Sequence, residues 1–185
     1  PLADSLGEVA DLLAPYRLEE MIPIGLNRRE PLQCNWKVVM DAFQEGYHIQ
    51  AVHPELIAAM DESQERYGFF ADHSVATGPF GAANLEHFGP EQQAESIRGL
   101  PLTFPSVSEV LPRFEALLDE NRAGDGTLSF PEGITGRLLL QQATRDTLSG
   151  KGLDVSGLTD IQMGANHSHL VSPNLFMTIR AGDAT

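Results

Sequence analysis

The sequence predicts an α+β fold with an antiparallel sheet, and two observations carry that prediction. Period-2 alternation of apolar residues occurs near residues 66–75 and again over 161–179, while apolar residues at helical spacing occupy stretches before and between them. The strand-like stretches are also grouped rather than alternating with helices one by one, which argues against a parallel βαβ architecture.

Residues 1–15 predict a short helical lead-in ended by Pro15. Between Tyr16 and Pro31, partial alternation at Leu18, Met21, Ile24 and Leu26 predicts strands, with Arg28, Arg29 and Glu30 in a solvated turn. Asn35 is a good N-cap, because its side-chain oxygen can accept from a free backbone N–H in the first turn. Behind it, Trp36, Val39, Met40, Phe43 and Tyr47 recur at helical spacing and predict an apolar stripe. Residues 56–60 predict a further helical turn. Tyr67, Phe69, Ala71, His73 and Val75 are expected on one strand face, with His73 a satisfied, half-buried histidine, and Gly78-Pro79-Phe80-Gly81 form a turn cluster. His87 has no partner pattern, and the stretch from Gly89 to Phe104 reads as loop. Pro112 suits the first turn of a helix through Phe114, Leu117 and Leu118, which Asn121 to Gly126 end. A second helix is predicted over Ile134–Leu148, with Ile134, Leu138, Leu139 and Leu140 facing inward. Ile161, Met163, Ala165, His167, His169 and Val171 then share a strand face, and a last strand carries Leu175, Met177 and Ile179. His167 and His169 either line a cavity or hydrogen-bond within a half-buried sheet; a second metal site is the weakest alternative.

The chemistry concentrates in NWKVVMDAFQEGYHIQAVH, residues 35–53. Asp41, Glu45 and His48, four and three residues apart, are expected along one helix face. His53 lies five residues beyond His48, off that face, and Pro54 pushes it out of the helical region. A chain broken there can return His53 to the side of His48. Two neutral imidazoles converging beside a carboxylate are a donor set for iron, zinc or another borderline metal. A pair of histidines at this spacing is by itself weak evidence, since surface and loop histidines produce it too.

The whole string is more specific. NWK, an acid at Glu45, Tyr47-His48 and then His53 resembles the mononuclear-iron motif in the catalytic domain of Rieske-type ring-hydroxylating oxygenase alpha subunits. The resemblance implies a helix-grip domain, its sheet curled around helices with an apolar cavity between. It implies His48 and His53 as ligands of a non-haem Fe(II), completed by a distant aspartate. Glu45 would match the acid that bridges toward the Rieske cluster of a neighbouring subunit. The implied activity is hydroxylation or dihydroxylation of an aromatic or other apolar substrate with O2. Electrons would arrive through ferredoxin and reductase, in a homo-trimer or alpha–beta assembly. The SPNLF string at residues 172–176 is similar to a late strand–turn segment of the same domain.

Three departures from that pattern stand out. Glu45 occupies a position where many members carry aspartate. Ala42 stands where many have asparagine, with Asp41 beside it as a weak candidate for approaching the metal. The third ligand is expected beyond Thr185, since Asp183 comes too early.

Composition narrows the alternatives. At 185 residues, with 42% hydrophobic and 21% charged residues, the chain reads as one soluble domain. A net charge of −14 argues against nucleic acid or an anionic membrane surface as partner. The one cysteine, Cys34, excludes an internal disulfide and is expected to be a small buried hydrophobe in a cytoplasmic protein. A Rieske [2Fe–2S] centre needs two cysteines and two histidines, so that cluster is expected in another part of a longer subunit. The first residue, Pro1, agrees with that expectation. No P-loop, dinucleotide fingerprint or GxSxG occurs. Two other functions stay open: a helix-grip module that binds an apolar ligand without redox chemistry, and a zinc hydrolase using His48, His53 and Glu45. The second lacks the HExxH spacing.

Overall fold

In the computed structural model, residues 2–23, 25, 28–57, 60–80 and 87–181 are described. Ile24, Leu26, Gly81, Asp183 and part of the helical turn expected over 56–60 lie outside them. The fold is α+β. Its sheet has four strands, β1 (Arg66–Phe70), β2 (His73–Pro79), β3 (Ala165–Val171) and β4 (Leu175–Ile179), in the order β1-β2-β3-β4 with every neighbour antiparallel. No helix among the described residues is long and apolar enough to cross a membrane.

The chain enters through α1 (Leu2–Leu6) and α2 (Glu8–Leu13), and Pro15 sits in the tight turn that follows, as expected of a lead-in. The strands expected over residues 16–31 are not found among the described residues; Leu18–Glu20 is another tight helical turn. Helix α3 (Trp36–Ala42) is capped by Asn35, whose Oδ1 accepts from the Lys37 backbone N–H at 3.0 Å. The expected strand face from Tyr67 to Val75 is a hairpin instead. Ala71 adopts φ 51°, and the chain reverses there, so Phe70 pairs with His73. Gly78 and Pro79 belong to β2 rather than to a turn.

Between β2 and β3 the chain builds a helical layer. Helix α5 (Pro90–Gly99) follows α4 (Ile49–Val52) in the chain and replaces the expected loop. Pro90 occupies its first turn, where the missing N–H costs nothing. Helices α6 (Leu111–Glu120) and α7 (Gly136–Gly150) pack on it. The Cβ of any residue replacing Gly136 would meet Gln93 Cβ and Ile97 at 3.1 Å, so glycine lets α5 and α7 approach closely. The Gly136 backbone N–H donates to Gln93 Oε1 at 2.8 Å. Arg98 on α5 grips Glu115 on α6 with two parallel bonds of 2.7 and 2.8 Å, the fork geometry that makes guanidinium–carboxylate pairs specific. Leu139 and Leu140 face inward as expected, whereas Ile134 and Leu138 are exposed.

Two apolar clusters result. Ala94, Ile97, Phe114, Leu118 and Ala143 anchor the helical one. Tyr16, Leu148, Val155, Met163 and Ile179 join the far end of α7 to the lead-in and the sheet. Arg145 fixes the connection by donating to the carbonyls of Val155 and Leu158 and to Asp160, the first residue of α8 (Asp160–Met163). That short helix takes the first part of the strand expected from Ile161.

Candidate metal centre

The helix expected to run through residues 35–52 breaks at Phe43. Asp41, Glu45 and His48 therefore do not share one helix face. Gly46 is buried in the break, and a Cβ there would lie 2.6 Å from Glu65 Oε2 and 3.1 Å from Glu62 Cβ. A side chain at 46 would displace the Glu65 carboxylate and press on Glu62 in the segment before β1. The apolar stripe of α3 is not buried either: Trp36, Phe43 and Tyr47 are exposed, and Val39 and Met40 only half-buried. Cys34 is exposed as well, contrary to the buried position expected for it.

What holds this segment to the sheet is Gln44. Its Nε2 donates to the Ser168 carbonyl on β3 at 2.8 Å, and its Oε1 accepts from Ser74 Oγ on β2 at 2.7 Å. The Phe43 ring meets Phe176 on β4 at 4.7 Å. Sequence reasoning missed Gln44, because a glutamine between Phe43 and Glu45 carries no local signal that it docks on two strands.

The structure brings Glu45, His48 and His53 together, by a route other than a shared helix face. Glu45 Oε1 lies 2.5 Å from His48 Nδ1, and its Oε2 accepts from the His48 backbone N–H at 3.2 Å. Helix α4 then carries the chain one turn to His53, whose φ of −124° ends the helix before Pro54. The two imidazole rings stand 5.3 Å apart, nearly perpendicular at 71°. His53 Nδ1 in turn faces Glu55 Oε1 at 3.1 Å. The Glu55 carboxyl is held below its usual range, first by its own backbone N–H and then by the His53 ring.

An ionised carboxylate only accepts hydrogen bonds, so each Nδ1 must carry the proton. In the neutral imidazole Nε2 is then the lone-pair nitrogen, the tautomer a metal-ligating histidine needs, with a carboxylate behind it. These residues fit the two-imidazole half of a mononuclear iron site. Among the described residues, no cluster of three or more His, Cys, Asp or Glu side chains is placed to hold a metal. Asp41 is exposed on α3.

His73 and His167 are held by hydrogen bonds within the fold. His73 is buried, with Nε2 2.7 Å from the Ser5 carbonyl and Nδ1 accepting from the Ser172 N–H at 3.0 Å. On β3, His167 pairs with Thr77 Oγ1 at 3.1 Å, and its ring lies 6.3 Å from that of His169. This is the half-buried-sheet alternative. Burial pushes both rings toward the neutral form, and His169 is driven down to about 4, first by burial and then by its neighbour His167. A lowered folded-state pKa means that the unfolded chain binds the extra proton first. Stability is thus fully present above about pH 6.5 and falls as pH drops toward 4, by on the order of 2 kcal/mol for His169. Urea midpoints at pH 7.5 and 5.0 will differ less in His169→Gln than in the wild type; an unchanged difference would remove His169 from that account.

A cleft opens between the helical layer and the sheet, walled by Phe80, Phe104, Val107, Leu140 and Met163 among others. It adjoins the histidine loop: Thr103 Oγ1, one residue before Phe104, donates to the Glu55 carbonyl at 3.4 Å.

The four-stranded antiparallel sheet with its helical layer makes this an α+β domain. The family described as ring hydroxylating alpha subunit (catalytic domain) matches residues 14–114, more than half of the chain, and the chain belongs to it. A curated relative is the glycine betaine monooxygenase oxygenase subunit of Chromohalobacter salexigens, 34% identical over 59 residues. That match covers 32% of this chain and 13% of the relative, so the chain spans a small part of that protein's length. No solved structure matches.

Proposed function

We propose that this chain is the catalytic domain of an oxygenase that binds mononuclear Fe(II) through His48 and His53 and hydroxylates or dihydroxylates an aromatic or other apolar substrate. The observation that carries the reading is the pair of converging imidazoles, each with a carboxylate on Nδ1. Bound iron would supply O2 activation beside the substrate. The protein's own residues orient and enclose. Glu45 holds the His48 ring by its proton and by the backbone behind it, and Glu55 holds the His53 ring. Phe80, Phe104 and Leu140 provide a dry wall for an apolar substrate. A carboxylate from outside the described residues completes the ligand set. Glu45 also serves as the bridge toward a Rieske [2Fe–2S] cluster in another part of the longer subunit, to which ferredoxin and reductase deliver electrons, in a homo-trimer or alpha–beta assembly.

Anaerobic reconstitution with Fe(II), followed by elemental analysis, tests this. The wild type is expected to retain iron approaching one per chain, and His48→Ala and His53→Ala to lose most of it. Equal iron in all three proteins, or none in the wild type, would overturn the assignment and favour a ligand-binding module without redox chemistry.

A further inference from the structure

We infer that Tyr67 on β1 is a positioning residue for the histidine pair: by holding the Glu65 carboxylate against Gly46, it fixes the turn through which Glu45 sets the His48 ring. The role deepens the proposed oxygenase function and, where metal is concerned, rests on it. Phe43 and Gln44 dock the segment before His48 on β4, β3 and β2, and Tyr67 supplies the tie from β1. Its hydroxyl donates to Glu65 Oε2 at 2.5 Å. The same oxygen lies 2.6 Å from where a Cβ on Gly46 would stand, so the carboxylate packs directly on the Gly46 backbone. The strand register agrees. Tyr67 is opposite Ala76, which is opposite Ser168, the residue whose carbonyl takes the Gln44 amide.

From Gly46 the geometry leads straight to the ring. The Gly46 carbonyl accepts from the Ile49 N–H at 3.0 Å. That bond closes the turn in which Glu45 Oε2 takes the His48 N–H and Glu45 Oε1 faces His48 Nδ1. Glu62 braces the next turn, its carboxylate accepting from Gln50 Nε2 on α4. The hydroxyl of Tyr67, not its ring, is the part that acts. An O–H bond to a carboxylate is charge-assisted, short and directional, and it holds a side chain that water would otherwise draw away from the turn. Burial and then the Glu65 carboxylate push the Tyr67 hydroxyl up to about 12; the Gly46 backbone N–H opposes that shift and Glu45 adds to it. The hydroxyl is therefore a donor at neutral pH.

Long-range proton–nitrogen NMR of the metal-free 185-residue chain near pH 8.5, where an ordinary imidazole is neutral, reads the His48 tautomer. The wild type should show Nδ1–H. Tyr67→Phe keeps the ring and should let the Nε2–H form appear in roughly a third of the molecules, because the bond that sets the tautomer is loosened. Glu65→Ala should do the same, and Glu65→Gln, which still accepts from Tyr67, should restore the wild-type spectrum. Anaerobic Fe(II) affinity, read by chelator competition, should fall about three- to tenfold in Tyr67→Phe, less than on direct loss of Glu45. In a Glu45→Ala background, Tyr67→Phe should cost nothing further, since the two act in one chain of contacts. Urea midpoints establish that each variant is folded. An unchanged His48 tautomer in Tyr67→Phe, a Glu65→Gln spectrum like that of Glu65→Ala, or an equal iron loss with and without Glu45 would each overturn the inference. The two readings fail separately. A tautomer shift in a wild type that takes no iron sinks only the oxygenase function; iron lost in His48→Ala, with the tautomer indifferent to Tyr67, sinks only the positioning role.

Discussion

Replacing Phe114 with alanine is expected to destabilise the chain by about 3–5 kcal/mol, the cost of emptying an aromatic site in a packed core. Phe114 on α6 is fully buried, in a cluster with Ile97 and Leu100 from the α5 side and Leu139, Leu140 and Ala143 from α7. Three helices converge on that ring, and none can close the hole without breaking another contact. Arg98–Glu115 and Arg113–Asp146 clamp the same helices at the surface, the second at 2.6 Å, and resist a collapse that would soften the loss. Phe114→Leu keeps most of the volume and should cost about a third as much. Urea unfolding followed by far-ultraviolet dichroism measures both. A loss below about 1 kcal/mol in Phe114→Ala would mean that the helical layer is not close-packed around this ring.

The second large effect is at Glu45. Glu45→Ala is expected to lower Fe(II) affinity about 10–100-fold, because it removes the group that sets the tautomer and orientation of His48. The carboxylate touches His48 twice, at the ring and at the backbone N–H, so its loss frees both the proton position and the turn that presents the ring. Glu45→Gln retains an oxygen that can accept from Nδ1–H but loses the charge, and should fall between the wild type and alanine. Anaerobic titration with Fe(II), read by competition with a chelator, ranks the three proteins. If all three bind alike, the 2.5 Å contact is incidental to metal affinity. A fold control is built in: Gln44 still ties the segment to Ser74 and Ser168 in both variants.

Much of this architecture was legible in local pattern. Asn35 announces a helix start by its own chemistry, and the cap bond is there. Phe114, Leu117 and Leu118 at helical spacing, and Ala165, His167, His169 and Val171 at strand spacing, are buried as their periods require. Pro54 signals the break that lets His53 come back to His48, because the residue before proline is driven from helical geometry. Helix α5 was readable in principle from Pro90, but its polar run of Glu91, Gln92 and Gln93 hides the inward positions Ala94 and Ile97.

By itself, the sequence determined which short segments are helical or extended in α6, α7, β3 and β4, and which residue types gather around His48. Those properties follow from neighbours a few positions away. Only the tertiary structure decided that the helix after Asn35 stops at Phe43, that Gln44 docks on two strands, that Trp36 and Tyr47 stay exposed, and that Arg180 stacks on Phe104 in the cleft. Burial and pairing there depend on partners as far as 124 residues apart, as in the bond from Gln44 to Ser168, and no local period encodes such a contact.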